Sequence, residues 1–260
     1  MTAGRAAPGA VERDPGRVEA MFSAIARRYD LVNRLMTMGL DRRWRRLAAA
    51  EAQPQPGERV LDVCCGTGDL ALALAKHCPS CEVVGLDFSE AMLDLARYKT
   101  AARASGAGKV TYVRGDVLGL PFADDTFAAV TVAFGVRNVP DVPAAFAEMA
   151  RVTNPGGRVV CLEATRPRGP LGRRVHALWM GKIVPRLGGV VSGNGAAYSY
   201  LPASTRDFPD ADGLADGMAA AGLRRVRYRR FVFGIVALHV GEVAGGEAAA
   251  GREDTDGQAQ

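Results

Sequence analysis

Residues 59–69, RVLDVCCGTGD, constrain what this 260-residue chain can fold into more than any other stretch. Val60, Leu61 and Val63 make an apolar run too short for a helix, with Pro56-Gly57 just upstream, and read as a buried parallel strand. The strand runs into Gly66-Thr67-Gly68, and helical spacing follows at Leu70, Leu72, Leu74 and Ala75. A strand, a glycine turn and a helix N-terminus together make a nucleotide site, because glycine lets backbone approach a ligand and the first helical N–H groups face it.

The pattern alone is ambiguous. Gly66-x-Gly68-x-x-Ala71 also fits a dinucleotide fingerprint, with Asp87 where a ribose-binding acid belongs. Two carboxylates tilt the reading towards S-adenosylmethionine. Asp62, inside the first strand, is placed to meet a cationic amino-acid moiety, and Asp116, closing the third strand, to meet an adenine amino group.

At 48% hydrophobic content the chain suits one large α/β domain with decorations. No apolar run approaches the length of a membrane span, and the first ten residues lack a secretory segment. The five cysteines, with Cys64 and Cys65 adjacent, suggest a reduced, cytoplasmic protein. Cys78-Pro-Ser-Cys81 reads as small residues in a helix-to-strand turn, since no second pair completes a zinc site; no metal site is expected. The formal charge of +5 divides into +5 over residues 1–50, −3 over 51–160 and +3 over 161–260. Basic flanks fit either nucleic acid or an anionic membrane surface.

Residues 1–16 and 244–260 read as disordered, leaving a single domain over 17–243. Within it, 17–50 form a helical cap: Val18, Met21, Phe22, Ile25 and Tyr29 fall at helical spacing, and most of the arginines around Trp44 read as a solvated face. Residues 59–163 alternate strand and helix, as a parallel, doubly wound sheet requires. Ser89 reads as the N-cap of a helix, and Asn154-Pro155-Gly156-Gly157 as a turn before the fifth strand. Residues 164–209 break the alternation and read as a lid or substrate insertion. Over 210–243 a helix precedes two strands with almost no loop between them, so the last strand must be antiparallel to its neighbour.

These features carry a resemblance. The chain closely resembles the ubiquinone/menaquinone biosynthesis C-methyltransferase family from about Val18 to Val240, through YDLVNRLMTMGLDRRW, LDVCCGTGD, FGVRNV, YSYLPASTRDFP, RVTNPGGRVVCLEAT and GIVALH. It departs from the family pattern at Thr37, Asp41, Asn154 and Thr165, where members commonly carry Ser, His, Lys and Ser, and at Ala133, where some members carry Ser.

The resemblance implies the class I S-adenosylmethionine-dependent methyltransferase fold, a seven-stranded, mostly parallel sheet with an antiparallel last strand and helices on both faces. It implies methyl transfer to a ring carbon of a polyprenyl quinol, demethylmenaquinol to menaquinol. The alternatives are the equivalent benzoquinol in ubiquinone biosynthesis, or an RNA or small-molecule substrate; a nucleic-acid partner is not expected, because base-methylation signatures are missing. Cofactor contacts are expected from Asp62, Gly66, Thr67, Gly68, Asp87, Asp116, Val117 and Ala133. Tyr29, Arg137 and Asn138 are expected to act on the quinol, with Arg137 stabilising a phenolate; the competing reading of Arg137 is a structural ion pair with Asp141 or Glu163. His239 is an alternative base, and His77 and His176 have weaker claims. A buried prenyl substrate implies transient contact with the inner face of the cell membrane. Residues 166–187, with six basic residues and an apolar face at Leu178, Trp179, Ile183 and Val184, are the expected docking segment. A homodimer is compatible with the resemblance.

Overall fold

The computed structural model describes residues 14–102, 108–179, 181, 204–205 and 208–245. Seven strands form one sheet: β1 (Arg59–Val63), β2 (Glu82–Asp87), β3 (Lys109–Arg114), β4 (Phe127–Ala133), β5 (Thr153–Ala164), β6 (Arg224–Phe231) and β7 (Val236–Glu242), in the order β3-β2-β1-β4-β5-β7-β6. The pairs among β1 to β5 are all parallel, whereas β7 runs antiparallel to both β5 and β6. The short connection at residues 232–235 makes that reversal unavoidable, as the sequence predicts. The order reverses beside β1, and there a crevice opens at the carboxyl ends of β1 and β4.

Alternate residues of each central strand feed two separate cores. Leu61 and Val63 face a core with Phe146 and Met149 of α5 (Val142–Arg151) and Leu214 and Met218 of the helix Ala211–Ala220. Val60 and Val83 face α2 (Leu40–Ala52), through Trp44, Ala48 and Ala49, and α3 (Asp69–His77), through Leu70, Leu74 and Ala75. The central strands are therefore apolar on both faces, and this is why their sequences read as short continuous runs. Burying both sets of side chains supplies the main driving force, at roughly 1.5–3 kcal/mol for each large aliphatic or aromatic residue.

The first helix, α1 (Pro15–Met36), starts two residues earlier than its apolar spacing predicts. The Asp14 side chain accepts the Arg17 N–H at 2.8 Å, and Pro15 supplies a preset first turn. Most of the expected disordered termini lie outside the described residues. β5 begins at Thr153 rather than after Gly157, with a register shift opposite Phe127 and Ala129 absorbing the Asn154–Gly157 turn. The Ser89 hydroxyl, ahead of α4 (Glu90–Ala102), lies 3.2 Å from that of Ser23 on α1. Cys78 and Cys81 form a disulfide, which corrects the expectation of a fully reduced set; the turn after α3 brings their Cα atoms within 5.4 Å. Cys64, Cys65 and Cys161 are free.

In the expected lid, α6 (Pro170–Leu178) is described, while Ile183, Val184 and the YSYL part of the motif lie outside the described residues. Trp179 packs on Ile25, Val32 and Met36 of α1, and Arg168 pairs with Asp210 and Asp212. Of the expected membrane-docking face, Trp179 is thus taken up in packing, while Arg168 is paired at the surface and Leu178 stays exposed. No helix of the described residues is long and apolar enough to cross a membrane.

Candidate active site

The crevice holds a cavity of about 390 Å³, floored by the strand ends and roofed by Val18, Glu19, Phe22 and Tyr29 of α1. Its polar wall comes from the glycine loop. Gly66 and Gly68 take φ of +54° and +79°, and a Cβ at Gly68 would stand 2.4 Å from the Tyr112 hydroxyl, so that turn admits only glycine. Gly135 is a second such point, because a Cβ there would meet the Cys64 Cβ at 2.4 Å. Cys64 and Phe134, at the ends of β1 and β4, hold positive φ values of 51° and 59°. Backbone of this kind persists where surrounding structure imposes it, and it collects at functional rims.

Asp62 is buried in the cavity wall. Its Oδ1 accepts the Thr131 hydroxyl at 2.9 Å, while Oδ2 has no hydrogen-bond partner among the described residues. Burial raises its pKa to about 7, against the opposing effects of the Thr131 hydrogen bond and the Arg45 charge. A carboxylate oxygen buried without a partner is costly unless a cation is presented to it. Asp87, at the end of β2, accepts the Gly66 N–H at 2.8 Å on Oδ2 and the Ser89 N–H at 2.9 Å on Oδ1. Burial raises its pKa too, and each oxygen keeps a second lone pair for the cavity. Asp116 lies beyond the end of β3 and accepts the Leu118 N–H at 3.0 Å; it lines the cavity with Val117, Ala133 and Asn138. Asn138 Oδ1 is another buried acceptor with no partner among the described residues.

A second cavity, of about 370 Å³, adjoins the first and shares Tyr29, Arg45 and Phe134 with it. It is largely apolar, lined by Met36, Met38, Leu40, Trp44, Val175, Trp179, Phe233 and Ile235. Arg137 lines this cavity rather than the first. Its Nη1 pairs with Glu163 Oε1 at 2.5 Å and donates to the Phe134 carbonyl at 2.7 Å, with both side chains buried. The ion pair with Glu163 is therefore present, and it fixes the guanidinium beside Tyr29. Burial raises the Tyr29 pKa, and the Arg137 and Arg45 charges oppose that shift.

Several site residues are not singled out by the sequence. Arg45, read among solvated arginines, is buried; its Nη1 pairs with Asp41 Oδ2 at 2.5 Å and its guanidinium lies 5.4 Å from the Phe134 ring centroid. Asp41 also accepts the Thr37 hydroxyl at 3.0 Å. The Asp41/Arg45 spacing of four is the available signal, because it puts acid and base on one helix face. Thr67 lines the first cavity, and its hydroxyl donates to Asp30 at 2.6 Å and accepts from Lys99 at 3.0 Å. Lys99 also pairs with Asp30 at 2.7 Å and Asp69 at 2.5 Å, tying α1 to the glycine loop and α4. His239 is not placed to act as a base: it is fully buried under Tyr228, donates from Nε2 to the Ala211 carbonyl at 2.8 Å, and lines neither cavity. His176, on α6, and His77, on α3, also lie outside both linings.

A model of the ubiE/COQ5 methyltransferase family matches residues 11–243. The chain is 47% identical over 243 residues to the demethylmenaquinone methyltransferase of Deinococcus radiodurans, covering 93% of this chain and 99% of that protein. It is 45% identical over 227 residues to the ubiquinone/menaquinone biosynthesis C-methyltransferase UbiE of Geobacter sulfurreducens, covering 87% and 88%. Among solved structures, the [4+2]-cyclase SpnF superposes with a TM-score of 0.66 at 17% identity, over 92% of this chain and 98% of that one, a likeness of fold.

Proposed function

This chain belongs to the ubiE/COQ5 methyltransferase family, and from that premise we propose that it methylates a ring carbon of demethylmenaquinol, with S-adenosylmethionine as the donor. The observation that carries the reading is the pair of adjoining cavities: one walled by carboxylates and glycine backbone, the other apolar, with Tyr29 and Arg45 at their shared boundary.

The first cavity suits the donor. Asp62 Oδ2, buried and unpartnered among the described residues, calls for a cation such as the ammonium or sulfonium of S-adenosylmethionine. Gly66 and Gly68 let the backbone close on it, Asp87 takes the ribose hydroxyls, and Asp116 with Val117 meets the adenine. When bound, S-adenosylmethionine supplies an electrophilic methyl group.

The second cavity suits an aromatic head group with a prenyl tail, because its lining is mostly aliphatic and aromatic. Arg45 and Arg137 hold fixed positive charge at the end where a quinol oxygen would lie, favouring the phenolate that makes the neighbouring ring carbon nucleophilic. The Tyr29 hydroxyl, at the boundary of the two cavities, orients the oxygens, and the Asn138 amide meets the ring where it reaches into the first cavity; alignment of this kind is worth on the order of 7 kcal/mol or more in favourable cases. Arginine does not act as a base at neutral pH, so the quinol proton leaves through water at the cavity mouth.

The test is methyl transfer from isotopically labelled S-adenosylmethionine to short-chain demethylmenaquinol and, separately, to the demethylated benzoquinol. C-methylated naphthoquinol by mass spectrometry is expected, with slower reaction of the benzoquinol. Label on oxygen, or no label in either quinol while the cofactor binds, would overturn the assignment. A faster benzoquinol reaction would transfer it to the ubiquinone branch, which the name of the Geobacter relative also covers.

A further inference from the structure

Between α1, α2 and α3 lies a third cavity, of about 350 Å³, which shares Arg45 and Asp69 with the site described above and is otherwise lined by residues that neither site cavity uses. Arg34, Arg42, Arg45, Arg46 and Lys76 line it, with Asp69 as its one acid. Asp69 already holds Lys99, and Arg45 is held by Asp41. Among the described residues, Arg34, Arg42, Arg46 and Lys76 have no ion-pair partner, and the Arg34 Nε is buried with no hydrogen bond. Four uncompensated cations around one hollow repel each other, and a polyoxygen anion relieves that repulsion while accepting forked guanidinium hydrogen bonds.

The surroundings identify the source of the anion. Leu31, Arg34 and Leu35 recur at i, i+3 and i+4 along one stripe of α1, and Met38 follows in the turn just past its end. The three apolar residues are 50%, 44% and 73% exposed, so this stripe faces outward with Arg34 among them. The apolar substrate cavity opens at the same junction, through Thr37, Met38 and Leu40. Arg34 belongs to both the stripe and the basic hollow, and Met38 to both the turn that follows the stripe and the cavity lining. An apolar stripe bordered by arginines matches a lipid–water interface better than it matches a freely diffusing phosphate.

We propose that residues 31–46 dock on an anionic phospholipid bilayer, with a headgroup phosphate in the Arg34/Arg42/Arg46/Lys76 hollow and Leu31, Leu35 and Met38 in the interface. The alignment of this face with a substrate entrance rests on the quinol reading; the phosphate site does not.

The test is co-sedimentation of the full chain with phosphatidylcholine vesicles, with and without phosphatidylglycerol, across a salt series. Binding that requires phosphatidylglycerol and falls with salt is expected. Each arginine near an anionic surface strengthens binding about fivefold, so Arg42→Glu with Arg46→Glu should weaken it by roughly 25-fold or more. Circular dichroism and cofactor affinity check that variant; if it is misfolded, Arg42→Gln with Arg46→Gln takes its place, with a loss of at least ~10-fold expected. Turnover of a tail-less quinol in solution should be unchanged in the same variant, while turnover of vesicle-embedded substrate falls. Equal vesicle binding by the folded variant, or equal binding to neutral vesicles, overturns the proposal. Saturable binding of glycerol phosphate without vesicle binding overturns it in favour of a soluble phosphate ligand. Vesicle binding without any quinol methylation would leave the docking face standing and remove the substrate assignment.

Discussion

At the scale of single residues, two carboxylates set measurable behaviour. Asp62 ionises near 3.8 in an unfolded chain and holds its proton to about 7 in the fold, because burial disfavours its charge. Folding therefore takes up a proton between those values. The contribution to stability is full below about pH 4 and is lost as pH rises towards 7, on the order of 4 kcal/mol in all. Asp62→Asn should flatten the pH dependence of urea unfolding in that window, leaving the part due to Asp87, whose pKa is also raised. Bound S-adenosylmethionine would favour the ionised form, so its affinity should climb up to about tenfold per pH unit below 7. Calorimetry showing a flat affinity between about pH 5.5 and 7.5 would remove Asp62 from the cation site. Glu163 teaches a different lesson. Arg137→Ala alone would strand that buried carboxylate at a cost of about 3–5 kcal/mol, so lost activity would report damage to the fold. Arg137→Met combined with Glu163→Gln avoids the stranded charge. It should keep cofactor affinity within a few-fold while turnover falls by ~100-fold. Near-normal turnover in that double variant would confine the pair to a structural part.

At the scale of elements, the strand–glycine–helix unit and the antiparallel last pair were legible because each rests on local chemistry: a short apolar run, a turn only glycine can make, and a connection too short for a crossover. What was hidden is what depends on where α1 lands. The apolar spacing of α1 predicts one packed face, but only the fold shows that its Tyr29 reaches both cavities and its Asp30 reaches Lys99. Arg45 escaped for the same reason, since the five arginines between 34 and 46 look alike until the sheet buries one of them. The Asp30–Lys99–Asp69 cluster joins α1, α4 and the start of α3, with Thr67 at its centre. Lys99→Met leaves two carboxylates facing each other without their cation. Hydrogen exchange in residues 15–36 should then quicken, and cofactor affinity should fall by about tenfold, a modest loss for a partly buried pair network. Unchanged exchange in α1 would mean that apolar packing alone holds the cap.

For the whole molecule, the site is a joint between parts of the chain that are far apart in sequence. The first cavity takes lining from α1, Arg45 of α2, the loops after β1, β2 and β3, and the turn after β4 at residues 134–140; the second adds more of α2, α6 and the 232–236 corner. A ligand that fills such a joint bonds only to the assembled state, so it stabilises the whole chain by mass action. At a hundred times its dissociation constant, S-adenosylmethionine should contribute about 2.7 kcal/mol. For a domain of this size that corresponds to a rise in Tm of about 5–10 °C, readable by scanning calorimetry. The distribution of the effect is more telling than its size. The strands are already held by two apolar cores, whereas α1 is held mainly by Ile25, Val32 and Met36 and by the Asp30–Lys99 pair. Hydrogen exchange on cofactor binding should therefore slow most in residues 15–36 and 64–68, with β4 and β5 little altered. A rise in Tm accompanied by slowing confined to the strands would separate the cap from the ligand-coupled unit, and with it the role given to Tyr29.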